Sequence, residues 1–212
     1  MKIKFAVLLL TLWSGTAFAG PPSLIGGKPM GEGTAHQVGV GWPSLFYEWW
    51  HSGTVEWAVG GELVYGDWSG GFSDIEIGGA VNVPVRWYLA KAGAADIAFQ
   101  VKPGMLLGSM KAGRDDRFVF GVRGEISLPV TIDLTPRVNL ITGATIPFSV
   151  LFVDDADDYV VLPLLARIGT EVKATDTITP WFLFELGPAM AFGDFGTEAE
   201  FAFRVWIGSA FR

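Results

Sequence analysis

The sequence has 212 residues, half of them hydrophobic, with 14% aromatic residues, 28 glycines and no cysteine. The formal net charge is -7, and a chain this acidic is a poor candidate for nucleic-acid binding. Without cysteine it can form no disulfide framework, thiolate metal site or thiol nucleophile.

Residues 1–19 have the three-part pattern of a secretory signal peptide. Lys2 and Lys4 precede an apolar run from Phe5 to Trp13, and the segment ends in Ala17-Phe18-Ala19. The apolar run is too short to span a bilayer as a helix. We therefore expect cleavage after Ala19. Loss of the two lysines changes the formal net charge from -7 to -9.

The remaining chain has the composition of a membrane protein without the runs that form membrane helices. Mean hydropathy over all 212 residues is +0.38, yet after residue 19 no run approaches the roughly 20 apolar residues that a spanning helix requires. A closed β-barrel is the other structure that can cross a bilayer, because all its backbone groups pair between strands.

Residues 20–53 precede the first predicted strand. Gly20 to Thr34 holds three prolines and five glycines, which predicts a flexible periplasmic lead-in. Residues 36–53 are rich in aromatics and are expected to form a rim or cap at the barrel mouth. We expect the membrane-interface aromatics to be Trp42, Tyr47, Trp49, Trp50 and, further along the chain, Trp87. Residues 36–53 could instead join the wall and raise the strand number to ten.

From residue 54 to residue 212, apolar and small or charged residues alternate in eight segments, as in strands with one apolar face. The segments cover about residues 55–65, 75–89, 97–107, 118–130, 138–150, 160–172, 182–190 and 201–212. Short connections alternate with longer polar ones, which is typical of outer-membrane barrels. We predict an all-β, eight-stranded, antiparallel, up-and-down transmembrane barrel. A soluble barrel or sandwich would instead bury the apolar set inside.

The last predicted strand carries Phe203, Val205, Ile207 and Phe211 on one face. With this strand, residues 54–212 resemble the small outer-membrane β-barrels of the OmpA/OmpX type. The resemblance implies a bacterial outer-membrane location and contact with outer-membrane lipid and lipopolysaccharide. It also implies that these four residues are an assembly signal for the barrel assembly machinery, although Arg212 follows the usual terminal aromatic. We expect a monomer.

The inward set of the predicted barrel holds six acidic and six basic residues. Because a buried charge is costly unless it is paired, and an eight-stranded barrel is just wide enough for side chains to fill, we expect a salt-bridged lumen. The predicted network comprises Glu56, Glu62, Glu76, Arg86, Lys102, Arg123, Glu125, Arg137, Arg167, Glu171, Glu185 and Arg204.

The function predicted from these features is a structural or surface-interaction role without enzymatic activity, cofactor or metal. The first alternative is a narrow channel for small polar solutes. The second is a lipid A-modifying enzyme. A lipid A palmitoyltransferase uses a His with an Asp-Ser pair, whereas this chain has only His36 and His51 and the reversed Ser73-Asp74. The acidic run from Asp154 to Asp158 lacks EF-hand spacing and is expected to be a solvated loop.

Overall fold

The computed structural model describes residues 22–66, 75–112, 115–154, 159–193 and 196–212. These residues form one closed antiparallel sheet of thirteen strand segments. No helix in these ranges is long and apolar enough to cross a membrane. The segments are β1 (Thr34–Trp42), β2 (Ser44–His51), β3 (Glu56–Val64), β4 (Ile75–Asn82), β5 (Val85–Ala92), β6 (Ala95–Val101), β7 (Gly104–Ala112), β8 (Asp115–Thr135), β9 (Val138–Val153), β10 (Tyr159–Pro163), β11 (Leu165–Val172), β12 (Ile178–Gly193) and β13 (Gly196–Phe211).

Three pairs of consecutive segments act as single strands of the wall, so the described barrel has ten strands. The breaks fall at Pro84 between β4 and β5, at Pro103 between β6 and β7, and beside Pro163 between β10 and β11. Proline has no backbone N–H to donate, which interrupts a ladder at these positions. The all-β antiparallel barrel predicted from the sequence is confirmed, with the ten strands of the alternative in place of the eight preferred there.

The two additional strands are β1 and β2, which residues 36–53 supply. β1 pairs with β13 from His36↔Phe211 to Trp42↔Val205, and with β2 on its other edge. β2 pairs with β3 along its whole length. A cis peptide bond joins Trp42 to Pro43 between β1 and β2. The last strand, β13, therefore closes the barrel against β1, and the strands follow one another around the wall in chain order as an up-and-down meander.

The outer face of the barrel is apolar. Val81, Phe201 and Ile207 each expose more than half of their surface, and large apolar residues are exposed along the strands all around the wall. Isolated exposed apolar residues are common on soluble proteins, but a surface this extensive is not. The soluble alternative required this set to face inward, and the structure places it outside.

The interior has three layers between two ends. The short-turn end carries the connections β2–β3, β5–β6, β8–β9 and β11–β12. The loop end carries the connections β1–β2, β3–β4, β7–β8, β9–β10 and β12–β13. The layer nearest the loop end is apolar, the middle layer is charged, and the layer at the short-turn end encloses part of the N-terminal segment. The apolar layer consists of Val64, Ala80, Leu106, Met110, Val119, Leu151, Val153, Val161 and Ala191.

The N-terminal segment is not the free lead-in expected from the sequence. Ser23, Leu24, Ile25 and Met30 are buried inside the barrel, whereas residues 31–34 are exposed and lead into β1. We call residues 22–30 the inner segment. Its proline and glycine content indicated a flexible segment, but several polar wall side chains bind its backbone and hold it in place.

Candidate functional site in the barrel interior

The middle layer is organised around Glu185 of β12, whose side chain is fully buried. Arg167 Nε donates to one carboxylate oxygen at 3.0 Å, and Arg204 Nε donates to the other at 2.6 Å. Arg204 Nη2 also donates to Glu125 at 2.9 Å. The register places Arg167 and Arg204 directly opposite Glu185 on the two neighbouring strands. Strand pairing itself therefore assembles the buried ion-pair network.

Two further ion pairs complete the middle layer. Lys102 Nζ lies 2.7 Å from Glu48, and Arg123 lies 3.4 Å from Glu62. Glu48 also accepts a hydrogen bond from the indole nitrogen of Trp50 at 3.0 Å. Each of these carboxylates therefore has a basic partner, as burial in a narrow lumen requires.

Aromatic rings lie beside these charges and border a small cavity. Phe46 stacks on Trp181 at 5.9 Å and meets Trp206 edge-on at 6.3 Å between ring centroids. Lys102 Nζ lies 5.2 Å above the Phe46 ring, and the Arg204 guanidinium lies 4.9 Å from the Trp206 ring. The cavity has a volume of about 80 Å³, which suits a few water molecules and is well below the roughly 300 Å³ of a ligand pocket.

The layer at the short-turn end binds the backbone of the inner segment. Arg86 contributes its guanidinium and also donates to Glu56 at 2.7 Å. Glu171 accepts a hydrogen bond from the side-chain amide of Asn139 at 3.2 Å as well as from backbone amides of the inner segment. Both Arg86 and Glu171 are fully buried. A length of the chain itself therefore occupies this end of the lumen.

Charged groups also pair at the rim of the short-turn end. Lys28 Nζ lies 2.9 Å from Asp133, and Lys91 lies 3.7 Å from Asp96. In the turn after β11, a hydrogen bond from Lys173 and its positive charge lower the pKa of the Asp176 carboxyl. Asp176 is fully exposed, so this pair contributes little to stability.

Most of the predicted network lies inside the barrel. The structure brings inward Glu56, Glu62, Arg86, Lys102, Arg123, Glu125, Arg167, Glu171, Glu185 and Arg204. The prediction for Arg137 is wrong, because Arg137 is exposed in the turn between β8 and β9, one residue before β9 begins. Glu76 lies in β4, but its side chain is outside the described part of the structure.

The sequence analysis missed Glu48, Phe46 and the inner segment. Glu48 lies between aromatic residues in a segment that was assigned to the rim, so it was not counted with the lumen. Its only signal was the alternation of β2, in which Phe46, Glu48 and Trp50 fall on one face. The inner segment has no periodicity that could have indicated its position.

Four of the five predicted interface aromatics point outward and one does not. Trp42, Tyr47, Trp49 and Trp87 are exposed on the outer face. Trp50 is a correction, because it points into the lumen and exposes only 1% of its surface. The Arg86 guanidinium lies 5.1 Å from its ring. Trp50 follows Trp49 directly, and successive strand residues face opposite sides.

Both histidines belong to an aromatic ladder on the outer face near the short-turn end. His36 Nδ1 lies 2.6 Å from the Tyr47 hydroxyl and its ring stacks with Trp49. His51 packs between Trp49 and Trp57, with ring centroids 4.4 and 4.3 Å away. The rings next to both histidines therefore belong to Tyr47, Trp49 and Trp57. Among the described residues, no group of three potential ligands could hold a metal ion.

No protein-family model matches the chain, and no curated protein matches it significantly. The fold and the site are therefore the basis for assigning a function.

Proposed function

We propose that this protein is a monomeric barrel of a bacterial outer membrane with a closed lumen, which acts in a structural or surface-interaction role and not as an enzyme. The observation that carries the proposal is the combination of an apolar outer wall with an interior closed in two layers. The apolar wall matches the lipid-facing band of a transmembrane barrel. The closed interior is unsuited to bulk transport.

The outer wall supports the membrane location. Exposed residues such as Leu63, Leu107 and Ile168 would be in water if the barrel were soluble, and burial of apolar surface contributes roughly 25 cal/mol per Å². The export signal predicted for residues 1–19 and the OmpA/OmpX-type resemblance support the same location. Outer-membrane lipid and lipopolysaccharide are then the direct surroundings of this wall.

The outward face of β13 supports its proposed role as an assembly signal. Phe203, Ile207 and Phe211 are exposed on that face, and Val205 lies between them. Before the barrel closes against β1, the edge of this strand that pairs with β1 and its apolar face would be accessible to the assembly machinery. Arg212 follows Phe211 and donates to the carbonyl of Pro22 at 2.9 Å.

The interior supports closure over conduction. At the short-turn end the inner segment fills the lumen, and at the loop end the apolar layer contains residues such as Leu106 and Val119 that are almost fully buried. A water path would need to pass both layers. The cavity between them gives the channel alternative its one supporting observation, because charged groups line it.

Single-channel recording of the refolded full chain in a planar bilayer tests closure. We expect no conductance steps from protein whose folding is verified by its heat-modifiable electrophoretic mobility. A matched variant, Arg123→Glu, reverses the charge of a residue that lines the cavity. Steady steps whose ion selectivity changes in that variant would establish a water path and put transport in place of the proposed role.

A further inference from the structure

The inner segment is held through hydrogen bonds to its backbone, which is one of the ways in which proteins bind peptides. The Arg86 guanidinium donates to three of its carbonyl oxygens, at distances of 2.9 Å for Ser23, 3.1 Å for Leu24 and 3.0 Å for Gly26. One side chain of the wall thus recognises three main-chain acceptors within four consecutive residues.

Wall side chains recognise the backbone N–H groups as well. Glu171 Oε1 accepts from Leu24 at 3.2 Å and from Ile25 at 3.4 Å. Thr131 Oγ1 accepts from Gly27 at 2.8 Å, and Glu56 Oε1 accepts from Met30 at 2.7 Å. These donors are present in peptides in general, so the contacts do not depend on covalent attachment to β1.

The choice of side chains favours a binding site over simple filling of the lumen. Arg86 exposes 1% of its surface and Glu171 none. Burial of charged groups is costly, and well-packed apolar residues of similar volume often stabilise a fold as well or better. Arg86 and Glu171 are instead placed where a peptide backbone supplies their hydrogen bonds.

The site also selects among peptides. Leu24 and Met30 pack against Trp50, and Ile25 packs in a cluster with Trp181 and Trp206. A side chain at position 27 would collide with the backbone carbonyls of Asp96 and Pro129, and one at position 26 would collide with Thr131. The Lys28 ammonium pairs with Asp133 at 2.9 Å. The preferred ligand thus has two adjacent apolar residues, then Gly-Gly and a basic residue.

Only a short exposed connection joins the inner segment to the wall. Residues 31–33 are exposed, and Gly31 and Gly33 have φ angles of 90° and 93° that glycine adopts readily. We propose that the short-turn end of the lumen is a peptide-binding site, which residues 22–30 occupy in cis, and that a separate peptide of the same chemistry exchanges into it.

The test begins from the folded full chain, so it does not require a truncated protein to fold. A protease recognition sequence inserted between Gly31 and Gly33 is cut after refolding in detergent. A fluorescent synthetic peptide of residues 22–33 is then added and its anisotropy is followed. We expect the cut segment to remain bound and to exchange with the labelled peptide, and a Gly27→Ala peptide or a scrambled peptide to fail to exchange.

A matched pair of wall variants tests the backbone contacts. Thr131→Val removes the hydroxyl that accepts from Gly27, whereas Thr145→Val alters another fully buried threonine, whose hydroxyl has no hydrogen-bond partner in the described structure. We expect Thr131→Val to raise the dissociation constant on the order of tenfold, since it leaves a buried donor unpaired. Thr145→Val should leave the dissociation constant unchanged.

Two outcomes would overturn the inference. The cut segment could stay in place, without exchange, until the whole barrel unfolds, which would make it an integral part of the fold. Alternatively, the emptied barrel could bind the scrambled peptide as tightly as the native sequence, which would mean nonspecific adsorption to an apolar surface. Neither outcome depends on whether the barrel conducts, so the proposed function is tested separately.

Discussion

At the scale of single residues, the interior depends on charges whose partners come from different strands. Glu185 is the clearest case, because it serves two arginines at once and has no access to solvent. Its neutralisation would remove the carboxylate to which Arg167 donates and would leave Arg204 with Glu125. Breaking a buried ion pair by removing one partner costs more than the pair contributes on balance.

We therefore expect Glu185→Gln to lower the free energy of unfolding by about 3 kcal/mol. Glu200→Gln is the control, since Glu200 is exposed on β13 and exposed substitutions usually change stability by less than about 0.5 kcal/mol. Reversible urea unfolding in lipid vesicles, followed by tryptophan fluorescence, provides the measurement. Equal unfolding midpoints for the two variants would show that the buried pairs make no net contribution to the free energy of unfolding.

The residue scale also shows what the sequence could reveal about the interior. Alternation correctly assigned Glu125, Arg167 and Arg204 to the lumen, because each lies in a long strand with a clear apolar face. It failed for Arg137, which lies in the turn between β8 and β9, one residue before β9 begins. Alternation could not identify the ion-pair partner of each residue, because the register between strands is set by pairing and turns.

At the scale of elements, β1 and β2 mark the limit of what could be predicted. The other eight strands have one apolar face and one small or charged face, so their period is visible in the sequence. In β2, Phe46 and Trp50 point inward while Tyr47 and Trp49 point outward. Aromatics on both faces conceal the period, and Pro43 suggests a break. The inner segment was equally hidden, because its position depends on tertiary contacts with Arg86 and Glu171.

Neighbouring tryptophans in β2 provide a test of this element. Trp49 is exposed on the outer face, whereas Trp50 is buried in the lumen. In vesicles of brominated lipid, whose bromine atoms quench nearby tryptophan, Trp49→Phe should remove part of the quenchable fluorescence. Trp50→Phe should leave the quenchable part unchanged. The opposite result, or equal losses from both variants, would show that β2 is not part of a lipid-facing wall.

At the scale of the whole molecule, closure of the wall by β1 determines the volume of the lumen. Barrel diameter grows roughly linearly with strand number, and an eight-stranded barrel is just filled by its own side chains. Ten strands leave additional space. In this protein the inner segment occupies that space at the short-turn end, and the apolar layer lies toward the loop end. β1 and β2 therefore widen the lumen, and the inner segment occupies the space that they create.

The pairing of β1 with β13 can be tested directly by disulfide cross-linking. Because the chain has no cysteine, an engineered pair of cysteines has no other thiol to react with. In the structure Val40 lies opposite Ile207, within the roughly 7 Å between Cα atoms that a disulfide allows. Leu63 lies on β3 at the same level as Ile207, three strand positions from β13, or about 14 Å at the usual strand spacing.

Disulfide formation in the Val40→Cys/Ile207→Cys and Leu63→Cys/Ile207→Cys variants, folded in lipid and mildly oxidised, is the measurement that most directly tests this architecture. The ten-stranded barrel predicts an efficient cross-link in the first variant and none in the second. A cross-link in the second variant alone would mean that β13 closes against β3, that β1 and β2 lie outside the wall, and that the lumen is that of an eight-stranded barrel.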